Sequence, residues 1–250
     1  DFLILHGDRN PRHNMMTMGE IYFVELILIF IGLVTFWNQE RRVILFLVFW
    51  LFLAPIPAAV VDTPHALRSA FMLPALILLS AAGLTTVFSY KNKLLTGLIL
   101  LFFIIHFIFL IQKLYFLAPH EYSRFWSYPA KLASEIVMDN RNRYDYIILS
   151  DRIDNIEYAY PVYAKIDPKA IIAQNQNRAL LNGSPLKKFD NVYIGYIPDK
   201  KIEEFISLLR GSVLYIGSAD EQGSLNKFES IDGLDGLKAL TLTRKISNPK

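Results

Sequence analysis

The sequence predicts a polytopic α-helical membrane protein, with four transmembrane helices, followed by a small extracytoplasmic α/β domain. Three observations predict it. Hydrophobic residues make up 53% and aromatic residues 14% of the 250-residue chain, which is high for a soluble protein of this length. Charge is unevenly placed: residues 1 to 118 carry 14 charged side chains and residues 119 to 250 carry 35. Long apolar runs fill the first part, whereas short strand-like and helix-like segments alternate in the second. The domain boundary therefore falls between a transmembrane region, 1–118, and a soluble domain, 119–250. A net charge of +3 points to no nucleic-acid partner, and the absence of cysteine excludes disulfides and thiol chemistry.

The chain opens on Asp-Phe-Leu-Ile with neither a basic n-region nor a cleavage site, and it reads as the C-terminal part of a longer protein. His6 to Asn14 is a polar loop holding two His, two Arg and an Asp. Four spans follow, over about 19–37, 43–61, 67–88 and 94–117, each near the roughly 20 residues a bilayer requires. Pro55 and Pro57 fall near the end of the second, where a broken last turn is tolerable. Two tight turns, Asn38 to Arg42 and Ser89 to Lys93, carry Arg41, Arg42, Lys91 and Lys93. The positive-inside rule makes these turns cytoplasmic, which puts the His6–Asn14 loop, the 62–69 corner and the C-terminal domain outside. Cell-membrane localisation, multi-pass, follows.

The corner Asp62-Thr-Pro-His-Ala-Leu-Arg-Ser69 is the most informative stretch. A helix starting near Thr63 or Pro64 puts His65 and Arg68, at i and i+3, on one face of its first turn, beside N–H groups that favour an anion. His6, Arg9, Arg12 and His13 fall on the same membrane face, as do His120 and Arg124. Guanidinium forks and imidazole donors suit a phosphate, and the phosphate-binding candidates are His65, Arg68, Arg12, His13, Arg9 and His6. The plainer alternative is that these cations only snorkel to lipid headgroups. Within the spans, Glu25 and His106 are ionisable groups at membrane depth, each facing a partner or a polar cleft.

From Pro119 the pattern changes. Tyr122 to Arg143 reads as an amphipathic helix whose start seats Trp126 and Tyr128 in the interfacial aromatic belt. Strands are expected at 146–150, 191–197 and 212–217, helices at 155–164 and 199–210, and a closing hairpin between 227–231 and 239–244. This alternation implies some parallel pairing. The domain has no phosphate-binding glycine motif and no Ser/His/Asp constellation, so no catalytic chemistry is expected in it.

The runs Gly7-Asp8-Arg9-Asn10-Pro11-Arg12-His13-Asn14, Ala54-Pro55-Ile56-Pro57-Ala58-Ala59 and Pro64-His65-Ala66-Leu67-Arg68-Ser69 with Met72-Leu73-Pro74 resemble bacterial membrane glycosyltransferases of the GT-C fold, family 39-like. These are the relatives of the protein O-mannosyltransferases and the aminoarabinose transferase. Tyr158 to Pro168 is similar to their periplasmic tail domain. The resemblance implies transfer of a sugar from a polyprenyl-phosphate carrier in the lipid bilayer to a protein or glycan acceptor at the outer face. It also implies that the acidic catalytic base lies in a loop upstream of Asp1, with Asp8 the candidate within this chain. An inverting displacement at the anomeric carbon needs that base, and cations to stabilise the departing phosphate. Asp8 and Asp62 are too few carboxylates for a metal, and no cofactor is expected. The competing reading is a non-enzymatic polytopic membrane protein whose extracytoplasmic domain binds a partner.

Overall fold

The computed structural model describes residues 2–14, 19–61, 66–221 and 229–246. The chain divides into two compact units, Asp1–Ala118 and Pro119–Lys250.

In the first unit, Phe2–His6 forms a short π-helical turn, followed by α1 (Phe23–Trp37), α2 (Arg41–Leu53), α3 (Ile56–Val61), α4 (Ala66–Ser69), a 3-10 turn at Ala70–Met72, α5 (Leu73–Ser89) and α6 (Lys93–Gln112). Three continuous helical runs among the described residues are long and apolar enough to cross a membrane: Arg41–Val60, Ala66–Ser89 and Lys93–Glu121. The span expected over 19–37 differs. Its helix has 15 residues, or about 22 Å at 1.5 Å per residue, short of a hydrocarbon core of about 30 Å. Its first four residues stay outside the helix because the Ile21 N–H donates to the Leu3 carbonyl at 3.0 Å. The Glu25 carboxylate then accepts the Tyr22 N–H at 2.8 Å and closes the first turn.

Proline accounts for the break between α2 and α3. Pro55 and Pro57 supply no N–H to the helical ladder, and the run resumes as a short segment at Ile56. Asn92 caps α6, its side-chain oxygen accepting the Leu94 and Leu95 N–H groups at 3.1 and 3.2 Å. Trp50 on α2 donates its indole N–H to the Phe71 carbonyl at 2.8 Å. The closest packing joins α1 to α5. At their crossing Gly32 lies against the Leu79 backbone and Gly83 against the Leu28 carbonyl, and a Cβ at either position would collide with backbone atoms.

Among the described residues the second unit is a mixed seven-stranded sheet covered on both faces. Its strands are β1 (Tyr146–Ser150), β2 (Ala179–Leu181), β3 (Ser184–Phe189), β4 (Val192–Gly195), β5 (Val213–Ser218), β6 (Glu229–Asp232) and β7 (Lys238–Lys245), in the spatial order β2-β3-β4-β1-β5-β7-β6. β1 runs parallel to both β4 and β5, with Ile147 opposite Val192 and Tyr146 opposite Val213. The outer pairs are antiparallel. After α7 (Ala118–Glu121), the helices are α8 (Tyr128–Asn140), α9 (Ile156–Tyr163), α10 (Pro168–Gln176) and α11 (Ile202–Leu208).

Burial explains the layering. Ile147 and Leu149 of β1 join Ala130, Ala133 and Val137 of α8 and Tyr160 of α9 in one core. Ile148, from the other face of the same strand, joins Ile202, Phe205 and Ile206 of α11 in a second. A strand buried on both sides has to be apolar at successive positions, and Ile-Ile-Leu is.

One expectation for this unit requires correction, and two of its elements were not expected. The helix predicted over 122–143 is a 3-10 turn, Ser123–Trp126, and a separate α8, because Ser127 between them takes a left-handed conformation at φ 58°. Helix α10 and the β2–β3 hairpin were not anticipated. The hairpin turns on Asn182-Gly183, both at positive φ (46° and 79°), the conformation a two-residue turn selects Asn-Gly for.

Candidate functional site

The His6–Asn14 loop is built around a buried carboxylate. Asp8 is 3% exposed although Arg9 beside it is exposed. Its Oδ1 accepts the Asn10 N–H at 2.8 Å, closing a local turn, and its Oδ2 accepts the Ala66 N–H at 2.7 Å. The Asp8 N–H in turn donates to Glu20 Oε1 at 3.2 Å. Asn14 reaches back to the His6 carbonyl at 2.7 Å, and the Arg12 N–H donates to Asn10 Oδ1 at 3.0 Å. The loop is thus folded on its own side chains and fastened, through one carboxylate, to the start of α4.

That bond brings together two of the segments carrying the predicted phosphate ligands. Arg68 lies on α4, two residues beyond Ala66, and is exposed; Arg9, Arg12 and His6 are exposed on the loop, and His13 is half-buried. His65 and Asp62 lie outside the described residues. The anion-favouring N–H expected at the corner is, at Ala66, already satisfied by Asp8. Among the described residues no cluster of three or more His, Asp or Glu is arranged to hold a metal.

The remaining polar candidates are engaged within their own units. Arg124 donates Nε to Asp235 at 2.7 Å and Nη2 to the Lys238 carbonyl at 3.0 Å, and His120 Nδ1 donates to the Leu234 carbonyl at 3.1 Å. His106 Nδ1 donates to the Phe102 carbonyl one turn back at 2.8 Å, and its ring lies 4.9 Å from that of Tyr22. Glu25 is the α1 cap already described.

The sheet holds a polar cluster that sequence reasoning missed. At the carboxyl ends of β1 and β5, where a doubly wound sheet most often binds ligands, Glu221 is 5% exposed. It accepts the Ser150 hydroxyl, the Tyr215 hydroxyl at 2.6 Å and the Ser218 N–H at 3.3 Å. Burial, reinforced by the Glu221 carboxylate, pushes the Tyr215 hydroxyl up, so it remains a donor throughout the physiological range. Next to it Arg152 pairs with Asp199 at 2.7 Å and lies over the Tyr196 ring at 5.2 Å. The hydroxyls are consumed by the carboxylate, and the cluster acts as a latch that fixes the strand ends. In sequence, Asp220-Glu221-Gln222 reads as a solvated turn, and nothing local marks Glu221 as buried.

Asp151, one residue beyond Ser150, gives the latch a pH dependence. Burial, followed by the Glu157 and Glu221 charges, raises its pKa above the usual 3.8. A carboxyl raised on folding contributes stability that is fully present below its unfolded pKa and lost as pH rises through the folded value. Asp151→Asn, which never ionises, should therefore unfold at a higher temperature than the wild type at pH 7. The gap should close as pH falls toward 3.8. Thermal unfolding of the purified chain by near-UV circular dichroism checks this; a gap independent of pH would mean that the effect of Asp151→Asn does not come from the Asp151 charge.

No protein-family model, curated protein or solved structure matches this chain.

Proposed function

We propose that this chain belongs to a membrane glycosyltransferase that moves a sugar from a polyprenyl-phosphate carrier to a protein or glycan acceptor at the extracytoplasmic face. The observation that carries the reading is the Asp8–Ala66 hydrogen bond, which fastens the loop bearing Arg9, Arg12 and His13 to the helix bearing Arg68. Exposed guanidinium groups gathered next to membrane-length helices suit a lipid-linked phosphate, a ligand whose charge stays at the interface while its tail enters the bilayer. In this reading Arg9 and Arg68 hold the departing phosphate, and His13, Arg12, His6 and His65 serve as further donors. Asp8 is buried and its two oxygens hold backbone N–H groups of two segments, so in this reading it anchors the loop and the base that deprotonates the acceptor comes from elsewhere. Assay of the intact protein in membranes with a radiolabelled polyprenyl-phosphate sugar tests it; absence of transfer to any acceptor, with the protein inserted and folded, would leave the partner-binding reading.

The same proposal includes a topology. Four crossings, with Gly19 to Tyr22 adding length to the short α1, put the Arg41/Arg42 and Lys91/Lys93 turns in the cytoplasm and the sheet domain outside. Reporter fusions at Asn92 and after residue 246 should give a cytoplasmic and an extracytoplasmic signal respectively. An extracytoplasmic signal at Asn92 would invert the assignment.

A further inference from the structure

We infer that Asp8 is the positioning residue of a two-arginine clamp, in which Arg9 and Arg68 together grip one phosphate monoester carried on an apolar chain. The inference rests on the phosphate reading above and adds to it which cations act as a pair and what holds them. An aspartate is seldom buried without partners, because a desolvated carboxylate is costly. Asp8 is 3% exposed and meets that cost with two backbone donors, Asn10 and Ala66, that come from segments far apart in sequence. Its own N–H, bonded to Glu20, ties in the segment leading to α1. One residue thus fixes three strands of chain. Arg9 is its immediate neighbour, and Arg68 stands two residues beyond the N–H that Oδ2 accepts. Both arginines are exposed, and neither has an ion pair among the described residues.

The electrostatics favour the same assignment. Two guanidinium groups that share one phosphate repel each other until the anion lies between them, and a buried Asp8 carboxylate, next in sequence to Arg9 and bonded to the Ala66 N–H, offsets part of that repulsion. Asp8 does not touch the phosphate: both its oxygens are occupied, and a carboxylate repels a phosphate. It works through the backbone, by keeping the two forks at a fixed separation, so its loss reduces the cooperation between Arg9 and Arg68 without removing either charge.

The test measures binding and requires no turnover. Farnesyl phosphate, a short prenyl monophosphate, is titrated against the full chain in dodecylmaltoside, with farnesol as the uncharged control. Arg68→Lys and Arg9→Lys, which keep charge but lose the fork, should each weaken farnesyl phosphate binding about tenfold. Asp8→Asn, which turns an amide N–H toward a backbone N–H, should weaken it similarly in the wild-type background and by less than about twofold in the Arg68→Lys background, because a broken clamp cannot be broken again. Ala66→Pro removes only the donor that Oδ2 accepts, at a position where a first helical turn tolerates proline, and should reproduce the Asp8→Asn effect if that variant folds poorly. Equal binding of farnesyl phosphate and farnesol by the wild type would overturn the phosphate reading itself. Weakening by Arg68→Lys with Asp8→Asn and Ala66→Pro within about twofold of wild type would overturn only the positioning role. So would a full, additive Asp8→Asn effect in the Arg68→Lys background, which would make Asp8 a general structural support.

Discussion

Arg68→Lys should lower sugar transfer at least about tenfold while expression and membrane insertion stay normal. Lysine keeps the positive charge and nearly the reach of arginine, but it presents a point charge where arginine presents a planar fork that matches two phosphate oxygens at once. Once the bound lipid-linked donor covers the exposed Arg68 and excludes water from it, removing one charge-assisted contact that strengthens as the phosphate departs costs on the order of 2 to 4 kcal/mol, roughly 30-fold to several hundred-fold in rate. The magnitude separates the two readings of this residue. A cation that only snorkels to lipid headgroups tolerates the exchange, since either long side chain reaches the interface. The measurement is initial-rate transfer from a polyprenyl-phosphate sugar in membranes, with variant and wild type matched for protein. A rate within about twofold of wild type would take Arg68 out of the site and leave Arg9 and Arg12 to carry the phosphate.

Gly83→Ala should destabilise the helical unit by about 1 to 3 kcal/mol, whereas the same substitution at Gly97 should be neutral or stabilising by up to about 1 kcal/mol. The chemistry is identical and the surroundings are not. A Cβ at Gly83 runs into the Leu28 backbone carbonyl on α1, an atom that cannot move without shifting the helix, while nothing lies within 4 Å of a Cβ built at Gly97 on α6. Alanine at 97 gains the helix propensity that glycine lacks; alanine at 83 gains the same and loses more by forcing α1 and α5 apart. Thermal unfolding of both variants in one detergent checks the contrast. Equal shifts would mean that the α1–α5 contact is looser than the Gly32/Gly83 crossing indicates.

What the sequence made legible follows from which interactions are local. The apolar runs at 146–150 and 212–217 announce β1 and β5 because a strand buried on both faces has no alternative composition. The β2–β3 hairpin escaped notice because β2 has only three residues and β3 carries Lys187 and Lys188 and lies toward the sheet edge, although Asn182-Gly183 was there to be read. The break at Ser127 depends on one left-handed residue before a proline-containing first turn, which helical periodicity passes over. At the candidate site, residue types were readable but partners were not. Arg9, Arg12, His13 and Arg68 stood out as phosphate-type groups from their chemistry. That Asp8 would be buried, and bonded to a backbone N–H 58 positions along the chain, is a long-range fact that spacing does not encode. Glu221 was hidden for the same reason.

The position of β1 in its sheet sets the tempo at which the second unit can form. β1 is the central strand, yet the strands that flank it come much later in the chain, since Val192 pairs with Ile147 and Val213 with Tyr146. Until both have been synthesised, the run Ile147-Ile148-Leu149 has bare hydrogen-bonding edges on either side and no apolar cover on at least one face. Synthesis at about 5 to 20 residues per second leaves that run unsatisfied for seconds, and the non-local closures that follow are intrinsically slow. The nascent domain is therefore most vulnerable to aggregation and proteolysis in the interval between the emergence of β1 and that of β5, which makes it a natural client for whatever chaperones reach it in that time.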